Sequence, residues 1–152
     1  MRETGTTPEE LEGLLNSRSG LKGLCGSNDL REIIGLMERG NTRARLAVEM
    51  FCYRIKKYIG AYLAVLGRAE AVVFTGGIGE NAPVIRQKIC DGLEGLGIGV
   101  DEGKNRASLG SISEIQRDGL PLKVLVIKTD EELEIARQTI QVIEQTAASN
   151  SG

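Results

Sequence analysis

Apolar residues recur at helical spacing along most of this chain and at strand spacing in a few short stretches. Thr7-Pro8-Glu9-Glu10 predicts a helix start: Thr7 can cap, Pro8 suits the first helical position and Glu10 completes a capping box. Leu11, Leu14 and Leu15 give that helix one apolar face. Residues 16–28 are polar and Gly-rich and read as a loop, with Ser27 or Asn28 as the next cap. Leu30, Ile33, Ile34 and Met37 then mark a helix over 29–38, which Gly40 ends.

The longest predicted helix is Thr42–Leu66. Ala47, Phe51, Ile55, Tyr58, Tyr62 and Leu66 form its stripe, and Val48, Cys52, Ile59 and Leu63 widen it. So wide a stripe predicts burial over much of the circumference. Arg43, Arg45, Arg54, Lys56 and Lys57 leave a basic exposed side. The run AVVFT at 71–75 is β-branched, too short for a helix and bounded by turn residues, so it reads as a buried strand. The turn GGIGEN follows, then a helix with Pro83 in its first turn and Val84, Ile85 and Ile89 along it. Residues 111–115 and 122–127 pair as strands around Asp118-Gly119. Thr129 and Glu132 form a second capping box for the last helix, whose stripe is Leu133, Ala136, Ile140 and Ile143. The polar end from Thr146 onward reads as frayed, leaving residues 1–148 as one domain and 149–152 as a flexible tail. The order of elements is that of an α/β domain.

Composition narrows the chemistry. The 152 residues carry 19 basic and 21 acidic side chains, and neither half is strongly basic. Nucleic-acid binding through phosphate neutralisation is not expected, and 3% aromatics supply no stacking platform. No apolar run approaches the roughly 18–20 residues that span a bilayer, so no membrane partner is expected. Histidine is absent, which removes imidazole bases and His-containing zinc sites. Three cysteines at wide spacing (Cys25, Cys52, Cys90) fit a reduced, cytoplasmic setting.

Three segments could carry chemistry. Gly76, Gly77, Ile78, Gly79, Glu80 and Asn81 stand at a strand-to-helix turn, where glycines admit a ligand to the backbone and a helix start offers N–H groups. The alternative is a tight corner that binds nothing. Gly77, Gly79 and Ala82, with Asp101 downstream, also satisfy a dinucleotide fingerprint for NAD. Against NAD, the strand follows a long helix, 95–100 makes a poor second strand, and Glu80 would face a pyrophosphate. Asp130 and Glu131 are carboxylates at a strand end, able to hold Mg²⁺ or simply to favour a helix dipole. Asp29 and Arg31 read as solvated first-turn charges.

Taken together, FTGGIGEN with Arg86 downstream, SNDLR at 27–31 and TDEELEIA at 129–136 resemble the C-terminal part of the acetate/propionate kinases in order and spacing. The resemblance implies a ribonuclease-H-like, actin-like ATPase domain, an incomplete half of a two-domain kinase. It implies that Asp29, Leu30 and Arg31 line an adenosine pocket and that Gly77, Ile78 and Asn81 form its other wall. Gly76, Gly79 and Glu80 belong to the same ATP/ADP-binding turn, with Gly77 and Gly79 admitting the nucleotide to the backbone. Glu131 would hold Mg²⁺. Asp130 departs from the family, which often has Asn there. The implied reaction is ATP plus acetate or propionate giving ADP and acyl phosphate. The family's substrate-side arginines, transition-state histidine and further metal-side asparagine have no counterparts here, so the chain alone is expected to be inactive. The family also implies a homodimer. A module binding NAD and a non-catalytic dimerisation domain built on residues 42–66 remain the alternatives.

Overall fold

The computed structural model describes residues 5–107 and 110–149, with side chains described through residue 146. α1 (Pro8–Ser17) begins on the expected box: Glu10 N–H donates to Thr7 Oγ1 at 3.2 Å, and Thr7 N–H donates to Glu10 Oε2 at 2.9 Å. The expected loop that follows instead holds a short helix, α2 (Leu21–Cys25), closed by left-handed Gly26. Its Leu21 and Leu24 pack against the core, an apolar pair too brief to show a helical period. α3 (Leu30–Glu38) buries Leu30 and Ile33. α4 (Thr42–Leu66) is capped by Asn41, whose side chain accepts from Ala44 N–H at 3.0 Å.

Burial of α4 falls short of the expectation. Only Ala44, Ala47, Val48 and Cys52 are buried, all in its first half. Small residues there let α3 and the helix at Pro83–Cys90 approach closely. Further along, Tyr58, Tyr62, Val65 and Leu66 are exposed.

The described strands form one sheet. β1 (Ala71–Phe74) runs parallel to β3 (Lys123–Ile127), with Phe74 opposite Val126. β2 (Ile112–Glu114) returns antiparallel to β3, as the turn at Asp118-Gly119 predicts. Gly119 takes the positive φ of 86° that this turn needs. Burial alternates along β3, so Val124 and Val126 face the core. β1 is less buried than expected, with Val73 half exposed. Between β1 and β3 the chain forms α5 (Gly76–Asn81), α6 (Pro83–Cys90), a 3₁₀ turn at Glu94–Leu96 and α7 (Glu102–Arg106). Ile33, Ala47, Val48, Ile85, Ile89, Val124 and Val126 belong to one apolar cluster joining the helices to the sheet.

α8 (Glu131–Ser149) takes in Thr146 and the three residues after it, where fraying was expected. The rest of the expected tail, 150–152, lies outside the described residues. Leu133, Ile140 and Ile143, its predicted apolar stripe, are exposed.

Candidate functional site

The site begins where β1 ends. Thr75 is extended, and Gly76 has φ +70°, which a side chain would strain. The chain then coils at once into α5, so GGIGEN is a helical turn rather than an open loop. Opposite stands the start of α3. Asp29, not Ser27 or Asn28, is its cap: Oδ1 accepts from Arg31 N–H at 2.9 Å. Ser27 Oγ instead accepts from Asp29 N–H at 3.1 Å and donates to Glu32. The cap moves because an aspartate one residue later reaches the same free amides.

Between α3 and α5 lies a cavity of about 1360 Å³. Asp29, Leu30, Arg31, Gly76, Gly77, Ile78 and Asn81 all border it. Arg31 lays its guanidinium on Asp29, Nε to Oδ1 at 3.1 Å and Nη2 to Oδ2 at 2.8 Å. Those bonds, with the backbone N–H of Arg31, hold the Asp29 carboxyl down to about 2. On the other wall, Asn81 Nδ2 donates to Gly77 O at 3.0 Å, fixing the curl of the turn.

The glycines of this turn do different things. A Cβ on Gly77 would meet nothing within 4 Å. It would point into open space where Gly77 borders both this cavity and a second opening. A Cβ on Gly79 would stand 3.1 Å from the Phe74 carbonyl carbon. Gly79 therefore serves close packing of α5 on β1, and it does not border the cavity.

Glu80 also turns away from the cavity. Its Oε1 accepts from Gly76 N–H at 2.8 Å, Thr129 N–H at 2.9 Å and Thr129 Oγ1 at 2.8 Å. These donors, Thr129 foremost, hold its carboxyl below the usual range. The expected helix-start N–H at Gly76 is thus already engaged. The capping box expected at Thr129 and Glu132 does not form. Asp130 caps α8 instead, accepting from Leu133 N–H at 2.9 Å, because Thr129 is committed to Glu80.

The second opening, about 370 Å³, lies between Gly77 and the acidic residues Asp130, Glu131 and Glu132. Among the described residues, no cluster of three acidic, thiol or imidazole groups could hold a metal ion by itself. With Asp130 engaged at the helix start, Glu131 suits a hard cation that takes most of its oxygens from phosphate and water, as Mg²⁺ does.

Behind the turn sits Arg86, fully buried. Its Nη1 donates to the carbonyls of Gly79 at 2.7 Å and Glu80 at 2.8 Å. The sequence placed Arg86 in the motif without a task. Its position in the stripe between Ile85 and Ile89 is the signal of a buried cation. Asn105, also buried, was not singled out, and nothing local distinguishes it.

The dinucleotide alternative fails on this geometry. Asp101 caps α7, accepting from Lys104 N–H at 2.8 Å, and does not border the cavity. Val100 makes one isolated antiparallel bridge with Gln116 and no second parallel strand.

Residues 1–137 match the acetokinase family. The chain belongs to that family. It is 55% identical over 148 residues to the acetate kinase of Syntrophobacter fumaroxidans, covering 97% of this chain and 36% of that protein. The acetate kinase of Nitratidesulfovibrio vulgaris is 53% identical over 143 residues, covering 94% and 36%. The crystal structure of Porphyromonas gingivalis acetate kinase superimposes with a TM-score of 0.84 at 41% identity, over 94% of this chain and 36% of that one. That of a Francisella tularensis propionate kinase gives 0.81 at 40% identity, over 89% and 34%. The α/β fold expected from the resemblance is therefore shown. The chain spans about 36% of the length of the curated relatives it matches. Among the described residues, no helix of this acetokinase chain is long and apolar enough to cross a membrane.

Proposed function

We propose that this chain is the nucleotide-holding part of a short-chain carboxylate kinase. The observation that supports this is a single cavity bordered by both Asp29, Leu30, Arg31 and Gly76, Gly77, Ile78, Asn81, with the acidic start of α8 just beyond Gly77. The adenosine of ATP or ADP would lie against Leu30 and Ile78, between the α3 start and the α5 turn. The phosphates would pass Gly77, where the missing side chain leaves the approach open. Arg31, paired with Asp29, stands exposed at the rim.

Mg²⁺, when bound, would neutralise phosphate charge during transfer, and Glu131 would help to hold it. Asp130 caps the helix through Oδ1. The acceptor would be acetate or propionate, and its recognition belongs to the other two thirds of a whole relative. This chain alone is expected to bind nucleotide without turning it over. The exposed end of α4 would serve a homodimer.

Calorimetric titration with Mg-ADP tests the reading. Heat of binding, with amide shifts at residues 29–31 and 76–81, is the expected result. A folded chain with unchanged shifts in millimolar Mg-ADP would overturn it.

A further inference from the structure

Glu80 stands where the two halves of the site meet, and its contacts are of an unusual kind. One carboxylate oxygen receives three donors: the N–H of Gly76 at the start of α5, and the N–H and hydroxyl of Thr129 just before α8. Glu80 and Thr129 are 49 residues apart in sequence. The bond is the direct polar tie between the glycine turn and the acidic segment. On the opposite side, the buried guanidinium of Arg86 grips the backbone carbonyl of the same Glu80. Residue 80 is thus held from both directions, its backbone to α6 and its side chain to the end of β3.

We propose that Glu80 is a positioning residue that sets Glu131 opposite Gly77, so that a nucleotide and its divalent cation are bound as one unit. The inference rests on the nucleotide reading above. Thr129 is two residues before Glu131, and Asp130 between them is fixed by its own cap. Anchoring Thr129 therefore anchors Glu131. Gly77 and Glu131 border the same small opening, and Glu80 lies in its wall. Charge-assisted hydrogen bonds of this sort hold geometry better than neutral ones. Without them the α8 start is free to move away from the turn, while α5 itself stays held by Arg86.

The test is the ratio of ADP affinities with Mg²⁺ and with a chelator, measured by calorimetry on the full 152-residue chain. Linked sites commonly couple by about 5- to 150-fold, and a ratio in that range is expected for the wild type. Glu80→Ala should lower the ratio to about the Glu131→Ala value. The double variant should lose no more than either single one, because both act through one contact. Glu80→Gln, which keeps an acceptor oxygen, should restore part of the ratio. An unchanged ratio in Glu80→Ala overturns the proposal. So does an equal loss of affinity with and without Mg²⁺, which would make Glu80 a purely structural residue. A wild-type chain that binds no ADP would instead overturn the nucleotide reading, and this proposal with it.

Discussion

Arg86 and Asn105 close on each other in the interior. Arg86 Nε donates to Asn105 Oδ1 at 2.7 Å, and Arg86 Nη2 donates to the Asn105 carbonyl at 2.8 Å. Asn105 in turn donates to the Pro83 carbonyl at 2.9 Å. With the bonds to Gly79 and Glu80, one guanidinium joins α5, α6 and α7 behind the cavity. Arg86→Met keeps the volume but strands several buried acceptors, each costing ~1–3 kcal/mol. The expected loss is on the order of 3 kcal/mol or more, read as a lower urea midpoint at constant slope. Arg86→Lys should recover only part, because an ammonium cannot span the same fork. A loss under about 1 kcal/mol for Arg86→Met would contradict this account.

Gly77 and Gly79 should separate binding from folding. Gly77 has open space and no positive φ, so Gly77→Val should fold with an unchanged denaturation midpoint. Its side chain would fill the nucleotide's approach, and Mg-ADP heat should disappear. Gly79→Ala presses a methyl on the Phe74 backbone and should cost about 1–3 kcal/mol. The reverse pattern would refute the assignment.

The Asp29 cap makes a pH prediction. Its folded pKa is depressed to about 2, so it stabilises the fold fully above the ordinary aspartate pKa. That contribution is lost as pH falls through about 2. The Asp29 carboxyl carbon should titrate there by NMR. In Arg31→Ala the midpoint should rise, because the Arg31 side chain is the largest cause of the depression.

The three thiols should differ in reactivity. Burial raises Cys52 to about 11 and Cys90 to about 12, while Cys25 is partly exposed. Iodoacetamide at mildly alkaline pH should label one cysteine in the folded chain and all three in urea. Rapid labelling of Cys90 in the native state would show that the α4–α6 packing is wrong.

The second half of α4 should mediate self-association. Val65 is 84% exposed and Tyr62 63%, and Tyr58 stacks on Tyr62 with centroids 6.2 Å apart. Arg54 lies over the Tyr58 ring at 6.0 Å, leaving an apolar face with a cationic edge. Sedimentation should show a dimer at high micromolar concentration, and Val65→Glu should shift it to monomer. A wild-type monomer under those conditions would rule the surface out as a self-interface.

Much of the candidate site was legible because its segments are local motifs. Residues 76–81 read as chemistry-bearing from composition and position, residues 29–31 only through the family resemblance, and the fold brings Asp29, Leu30, Arg31, Gly76, Gly77, Ile78 and Asn81 to one cavity. What each residue does within the turn was not legible. Gly77 and Gly79 look alike in sequence, yet one borders open space and the other a strand backbone.

Chain sequence by itself determined the features whose partners lie within a turn of backbone. The Thr7–Glu10 box, Pro83 at a helix start and the Asp118-Gly119 reversal are of this kind. Their hydrogen bonds close over a few residues, so composition and spacing suffice. Tertiary structure alone decided the rest. Thr129 could cap with Glu132 or bond Glu80, and Asp130 could point either way; only the parallel pairing of β1 with β3 brings Glu80 within reach. The wide stripe of α4 promised burial all along, but burial needs a facing partner: its first half buries Ala44, Ala47, Val48 and Cys52, while in its second half Ile55, Ile59 and Leu63 pack only partly against the core and Tyr58, Tyr62, Val65 and Leu66 stay exposed. A hydrogen-bond donor or an apolar face records what a residue can satisfy; which group satisfies it depends on contacts between segments far apart in the chain.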